Sequence, residues 1–109
     1  MKLLIAIVQD ADVNFLIDAL TEEGYRITKL ATTGGFLKKG NTTLLIGVEE
    51  NELEEVLGII ESNCKKRITK TNIINPSVES SILTNTVPIE ITVGGATIFV
   101  IDVEQYIQL

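Results

Sequence analysis

Apolar and polar positions along this chain switch between two periods. Leu3-Leu-Ile-Ala-Ile-Val8 is continuously apolar and ends β-branched, the pattern of a central strand covered on both faces. Val13, Leu16, Ile17 and Leu20 then recur at i, i+3, i+4 and i+7, which predicts a helix. Asp10 or Asp12 is placed to cap it, and Gly24 to end it in a left-handed turn. Residues 26–33 and 42–48 predict a strand pair around a short glycine-bearing loop. Asn51 and Glu54 stand as cap and N3 residue of a second helix whose buried face is Leu53, Val56, Leu57, Ile60 and Cys64. Lys65, Lys66 and Arg67 follow at its carboxyl end, where positive charge complements the helix dipole.

Residues 67–73 read as a further strand. Residues 75–86 are polar, lack a clean period and carry Pro76, which predicts a long loop. Val87-Pro-Ile-Glu-Ile-Thr-Val93 alternates with period two, Gly94-Gly95 is a hairpin signal, and residues 96–103 return as a strand. The tail, residues 104–109, is too short for a helix of its own. Strand, helix, strand, strand, helix, strand, with an extra β element before the last, predicts an α+β, ferredoxin-like fold with two helices on one sheet face. Leu44, Ile46 and Val48, with Ile89, Ile91 and Val93, are expected to give the sheet an apolar second side. No further helix is left to cover it, so self-association is expected.

At 109 residues the chain is one domain, residues 1–109. Fifteen Asp and Glu against nine Lys and Arg leave a net charge of −6, which argues against a nucleic-acid backbone as partner. Histidine is absent, which removes imidazole base catalysis, Ser-His-Asp triads and most zinc sites. Cys64 is the single cysteine and sits at an apolar helical position, so it reads as a small buried hydrophobe and not a nucleophile. With one cysteine and no secretory leader pattern, a cytoplasmic address is expected. The longest apolar run falls far short of the roughly 20 residues that span a bilayer, so no membrane partner is expected. No cofactor or metal is expected either.

Between the second and third predicted strands, Gly34, Gly35 and Gly40 permit positive φ and close approach of a ligand, and their N–H groups can face an anion. Phe36 stands among them where a turn is normally polar. A flat apolar ligand bearing phosphates suits that mixture.

Three segments carry a resemblance: Ile5-Ala-Ile-Val-Gln-Asp10, then Lys29-Leu-Ala-Thr-Thr-Gly-Gly-Phe-Leu37 with Gly40-Asn-Thr-Thr43, then Val93-Gly-Gly-Ala-Thr-Ile-Phe-Val100. In order and spacing the chain resembles the cyclic-di-AMP receptors of the PII-like signal-transduction superfamily. The resemblance implies a homotrimer of ferredoxin-like subunits, a cyclic dinucleotide in each inter-subunit cleft, no catalysis, and loop movement sensed by a downstream protein of unknown identity. It implies ligand contacts at Arg26, Thr28, Gly34, Gly35, Phe36, Leu37, Asn41, Gly47 and Gln108. In that reading Phe36 and Leu37 wall a base, Gly47 admits one against bare main chain, and Asn41 offers both donor and acceptor. Gly34 and Gly35 N–H groups and Gln108 hold phosphate oxygens without a basic cluster. PII proteins proper carry their long loop after the second strand. Here that loop is short and the longer excursion comes later, which counts against ATP and 2-oxoglutarate sensing in the PII manner and leaves a sensor of another nucleotide such as ATP as the alternative reading.

Two rivals fare worse on the residues. An enzyme would draw on carboxylates, yet Glu49, Glu50, Glu52, Glu54 and Glu55 gather at a helix start, where capping and the dipole explain them. A ferredoxin-like RNA-binding domain needs exposed aromatics on neighbouring strands and a basic face, and both are missing.

Overall fold

The computed structural model describes residues 1–30, 40–73 and 87–109. Strand β1 (Lys2–Gln9) is the spine of the main sheet: Leu4, Ala6 and Val8 are fully covered, while Leu3, Ile5 and Ile7 on the opposite face are half-buried. It pairs antiparallel with β3 (Asn41–Val48) on one side and β6 (Ala96–Asp102) on the other, and β2 (Ile27–Leu30) pairs antiparallel with β3. The resulting order β2-β3-β1-β6 is the ferredoxin-like arrangement that the element order predicts.

Both helices pack on the Leu4 face. Val13, Leu16 and Leu20 of α1 (Asp10–Glu22) and Val56, Ile60 and Cys64 of α2 (Leu53–Cys64) close one core with Leu4, Ala6, Val8, Leu44, Ile46 and Val48. Gly24, at φ +86°, ends α1 as expected. Its N–H bonds to the Thr21 carbonyl at 2.9 Å and the Tyr25 N–H to the Leu20 carbonyl at 3.0 Å, the paired bonds of a Schellman end.

The helix starts differ from expectation. Gln9 occupies the cap position of α1; Asp10 instead accepts from Thr42 Oγ1 at 2.5 Å, and Asp12 is buried in an ion pair with Arg67. The capping box before α2 lies earlier than Asn51 and Glu54. Glu49 and Glu52 cap each other across a 3₁₀ turn, Glu50–Glu52, which feeds the helix.

The sheet faces are also reassigned. Leu44, Ile46 and Val48 face the helices, so they are core. The open face is instead built from Leu3, Ile5, Leu45, Phe99 and Ile101, which the registers Leu3↔Ile101, Ile5↔Leu45 and Ile5↔Phe99 bring side by side. Phe99 and Ile101 remain 53% and 46% exposed, an apolar surface that one copy leaves in water.

Ile89, Ile91 and Val93 belong to a separate element. β4 (Arg67–Ile73) and β5 (Val87–Val93) pair antiparallel in a two-stranded sheet of their own. Gly94-Gly95 is therefore no hairpin turn; it carries the chain from that sheet to the main one. Arg67, assigned above to the helix dipole, anchors the first strand: Nη2 donates to Asp12 Oδ1 at 2.6 Å and Nη1 to Oδ2 at 3.4 Å. The second strand is held by the Gly94 N–H on Gln9 Oε1 at 2.7 Å and by the Gly95 N–H on the Cys64 carbonyl. The long loop read from residues 75–86 lies outside the described residues. Residues 104–109 form no helix, as expected.

Two side-chain environments make predictions. Burial pushes the Cys64 thiol up to about 11, helped by the Asp12 charge and opposed by Arg67. At pH 8 the thiol stays protonated and covered, so native protein resists iodoacetamide whereas urea-unfolded protein is alkylated at the rate of a free cysteine. Rapid labelling of the native chain would contradict that burial.

Lys2 and Asp102 face each other across β1 and β6 and form an ion pair. The hydrogen bond to Asp102 holds Lys2 above its usual 10.5, and the same bond holds Asp102 below 3.8. The pair's stabilisation is therefore complete between those values. It is lost as pH falls through the depressed carboxyl value or rises through the elevated amine value. Urea midpoints of wild type and Lys2→Met are expected to differ by a constant amount at neutral pH and to converge at both extremes. Because the pair is exposed, the difference is small.

Candidate functional site

β1 begins, β3 ends, β6 ends and β2 begins at one end of the main sheet, and there the chain forms a cleft of about 700 Å³. Its floor comes from open-face positions Leu3, Leu45, Gly47 and Thr28, held together by the registers Leu3↔Gly47 and Thr28↔Leu45. One wall is the turn Gly24, Tyr25 and Arg26, whose path is set by the left-handed glycine ending α1. Glu52 of the 3₁₀ turn stands beside it, and Met1, Val103, Tyr106 and Gln108 complete the boundary.

Gly47 is the telling member. It sits in unbroken ladder register opposite Leu3, is not among the positive-φ glycines, and a Cβ placed on it would meet none of the described residues within 4 Å. Neither the backbone nor packing among the described residues requires a glycine there, and the continuous register leaves no bulge to explain it. What the missing side chain leaves is open space above bare main chain in the cleft floor.

Among the described residues, the polar side chains of the cleft are one cation, Arg26, one carboxylate, Glu52, the Thr28 hydroxyl, the Gln108 amide and two phenols. Burial and the neighbouring carboxylates of Glu55, Glu52 and Glu23 push the Tyr25 phenol up to about 12, so it remains a neutral donor at physiological pH. Such a set binds an uncharged ring edge or an anion through one guanidinium and neutral donors. Among the described residues, no three His, Cys, Asp or Glu side chains gather to hold a metal, and no helix is long and apolar enough to cross a membrane.

Four of the nine residues singled out in the sequence thus meet in one cleft: Arg26, Thr28, Gly47 and Gln108. Asn41 does not join them. It begins β3 while Gly47 lies near its end, six residues or roughly 20 Å along the strand. Asn41 lines a smaller hollow of about 390 Å³ with Gln9, Lys66, Gly94 and Thr97. Gly34, Gly35, Phe36 and Leu37 lie outside the described residues. Sequence reasoning missed Leu3, Leu45, Tyr25 and Tyr106. The two leucines are invisible as site residues because a strand core and a cleft floor have the same apolar signature. The tyrosines had a signal: each stands within two positions of a residue already singled out.

The comparisons agree with this architecture. A family model described as cyclic-di-AMP receptor matches residues 1–109. The chain belongs to the cyclic-di-AMP receptor family. It is 37% identical over 76 residues to the "Nitrogen fixation nifHD region GlnB-like protein 1" of Methanothermococcus thermolithotrophicus, an alignment covering 58% of this chain and 72% of that protein. It is also similar to a crystal structure of a functionally unknown protein from Pediococcus pentosaceus ATCC 25745, at 44% identity and TM-score 0.76 over 99% of this chain and 96% of the other. The receptor family and the GlnB-like relative support a PII-like, ferredoxin-like α+β fold and a nucleotide-binding signalling role.

Proposed function

We propose that this receptor binds cyclic-di-AMP, without catalysis, in clefts between the subunits of a homotrimer and relays occupancy to a partner protein by rearranging loops. The observation that carries the reading is the cleft that gathers Arg26, Thr28, Gly47 and Gln108 in a chain of the cyclic-di-AMP receptor family. Arg26 and Gln108 meet the phosphates, and a purine lies over the bare Gly47 main chain. Two features favour a site shared between copies. Asn41 stands at the far end of β3 from Gly47, so a neighbouring copy is a natural source of its contacts. The open face of Leu3, Ile5, Leu45, Phe99 and Ile101 gives copies a reason to associate.

Calorimetry against cyclic-di-AMP, cyclic-di-GMP and ATP tests the ligand. Cyclic-di-AMP binds tightest, because replacing the adenine amino donor by a carbonyl leaves buried acceptors unpaired at about 1–3 kcal/mol each. Equal affinity for cyclic-di-GMP, or a preference for ATP, would overturn the reading. Light scattering is expected to give three times the 11.9 kDa chain mass. For the relay, amide exchange is expected to slow on binding at residues 33–41 and 75–86, and an unchanged rate at both would remove the loop mechanism.

A further inference from the structure

Folding does not explain Tyr106. It follows β6 in an irregular segment, is 62% exposed, and is not among the residues packed against the core, in contrast to Tyr25, which is. Its place is nevertheless fixed. The Val103 N–H donates to the Met1 carbonyl at 3.1 Å, continuing the β6–β1 pairing one step beyond the ladder, so the segment leaves the sheet at a defined point. From there Tyr106 forms part of the cleft wall, with its hydroxyl 3.5 Å from Gln108 Oε1. An exposed aromatic ring bounding a cleft whose floor includes bare main chain is a face waiting for a second flat surface.

We infer that Tyr106 is a ligand-contacting residue that stacks on a purine of the bound nucleotide through its ring. The inference rests on the proposed binding of cyclic-di-AMP and adds to it a base wall distinct from the Phe36 loop. A ligand with two bases needs two such surfaces, and a tyrosine loses little conformational freedom in providing one. The ring carries the contact, and the hydroxyl at 3.5 Å from an amide oxygen contributes little.

The chain supplies its own reporter, with two tyrosines and no tryptophan. Cyclic-di-AMP is titrated into wild type, Tyr106→Ala and Tyr106→Phe by calorimetry and by tyrosine fluorescence. Removing the ring weakens binding about 10- to 100-fold, the effect typical of base–aromatic stacking. Phenylalanine keeps affinity within about threefold, because the stacking face survives. Saturating ligand quenches wild-type tyrosine emission, and Tyr106→Phe, where Tyr25 of the same cleft alone emits, loses the share of the quench that Tyr106 carries. The side chain is exposed, so thermal melts of both variants match wild type. Tyr106→Ala binding as tightly as wild type, or Tyr106→Phe failing as badly as alanine, overturns the inference while wild-type binding keeps the proposed function. Absence of binding to wild type overturns both.

Discussion

Gly47→Val is expected to abolish cyclic-di-AMP binding and to leave the free protein as stable as before. The two halves of that expectation have separate causes. In the free chain a Cβ at this position meets none of the described residues within 4 Å, the backbone is ordinary strand, and valine suits a strand better than glycine does. The variant's melting temperature therefore stays level or rises. In the proposed complex, a purine lying on the main chain would sit at about 3.5–4.0 Å, the separation at which carbon atoms make contact, and valine's methyl groups would fill that layer. A ligand displaced by that thickness loses its contact with the floor and its alignment with Arg26 and Gln108 together. Affinity is expected to fall by at least about 100-fold, of order 3 kcal/mol. Calorimetry, a thermal melt and light scattering on the one variant separate the halves. Normal binding would make Gly47 incidental, and binding lost together with the mass of the proposed trimer or with melting temperature would mean that the residue serves assembly.

How much of this was legible in the sequence depends on the range of the interaction. β1, both helices and the end of α1 at Gly24 are written in local periodicity and one glycine, and they stand where expected. The faces of β3 were misread because Leu44, Leu45, Ile46 and Val48 are all apolar. Alternation separates two faces without saying which one the helices cover. Gly94-Gly95 announced a change of direction correctly, but which strand β5 pairs with depends on Arg67 and Ile73, far back in the chain. The pairing of Asp12 with Arg67 was missed for the same reason. Each had a sufficient local explanation, cap and dipole, and their contact spans 55 positions. Four cleft residues were legible through resemblance alone, and the vacancy above Gly47 became visible only in three dimensions.

The second large effect belongs to Gly94, where alanine is expected to destabilise the fold itself. Gly94 has φ +85°, a region that costs an L-residue roughly 1–2 kcal/mol. A Cβ there collides with the Lys65 carbonyl oxygen and comes within 2.7 Å of Arg67 Nη1 and 3.1 Å of the Cys64 carbonyl. Two of these three neighbours are backbone, so relief requires moving the junction between the two sheets. That junction holds the Gly94 N–H on Gln9 and the Gly95 N–H on Cys64, and the displaced guanidinium is the one that neutralises buried Asp12. Strain and the weakened ion pair together are expected to cost about 3 kcal/mol, or roughly 10–20 °C in melting temperature for a domain of this size. Gly95→Ala is the internal comparison. It has nearly the same φ, +91°, but among the described residues its Cβ meets only the Lys66 side chain, at 3.4 Å and beyond, which can swing aside. Its loss should therefore approach the backbone cost alone. The contribution of the guanidinium is isolated by a double-mutant cycle, because alanine at position 94 does less harm once Arg67→Ala has cleared the space. Additive losses in that cycle would assign the whole effect to the backbone, and a Gly94→Ala melt within about 2 °C of wild type would show that the junction between the sheets is not built as described.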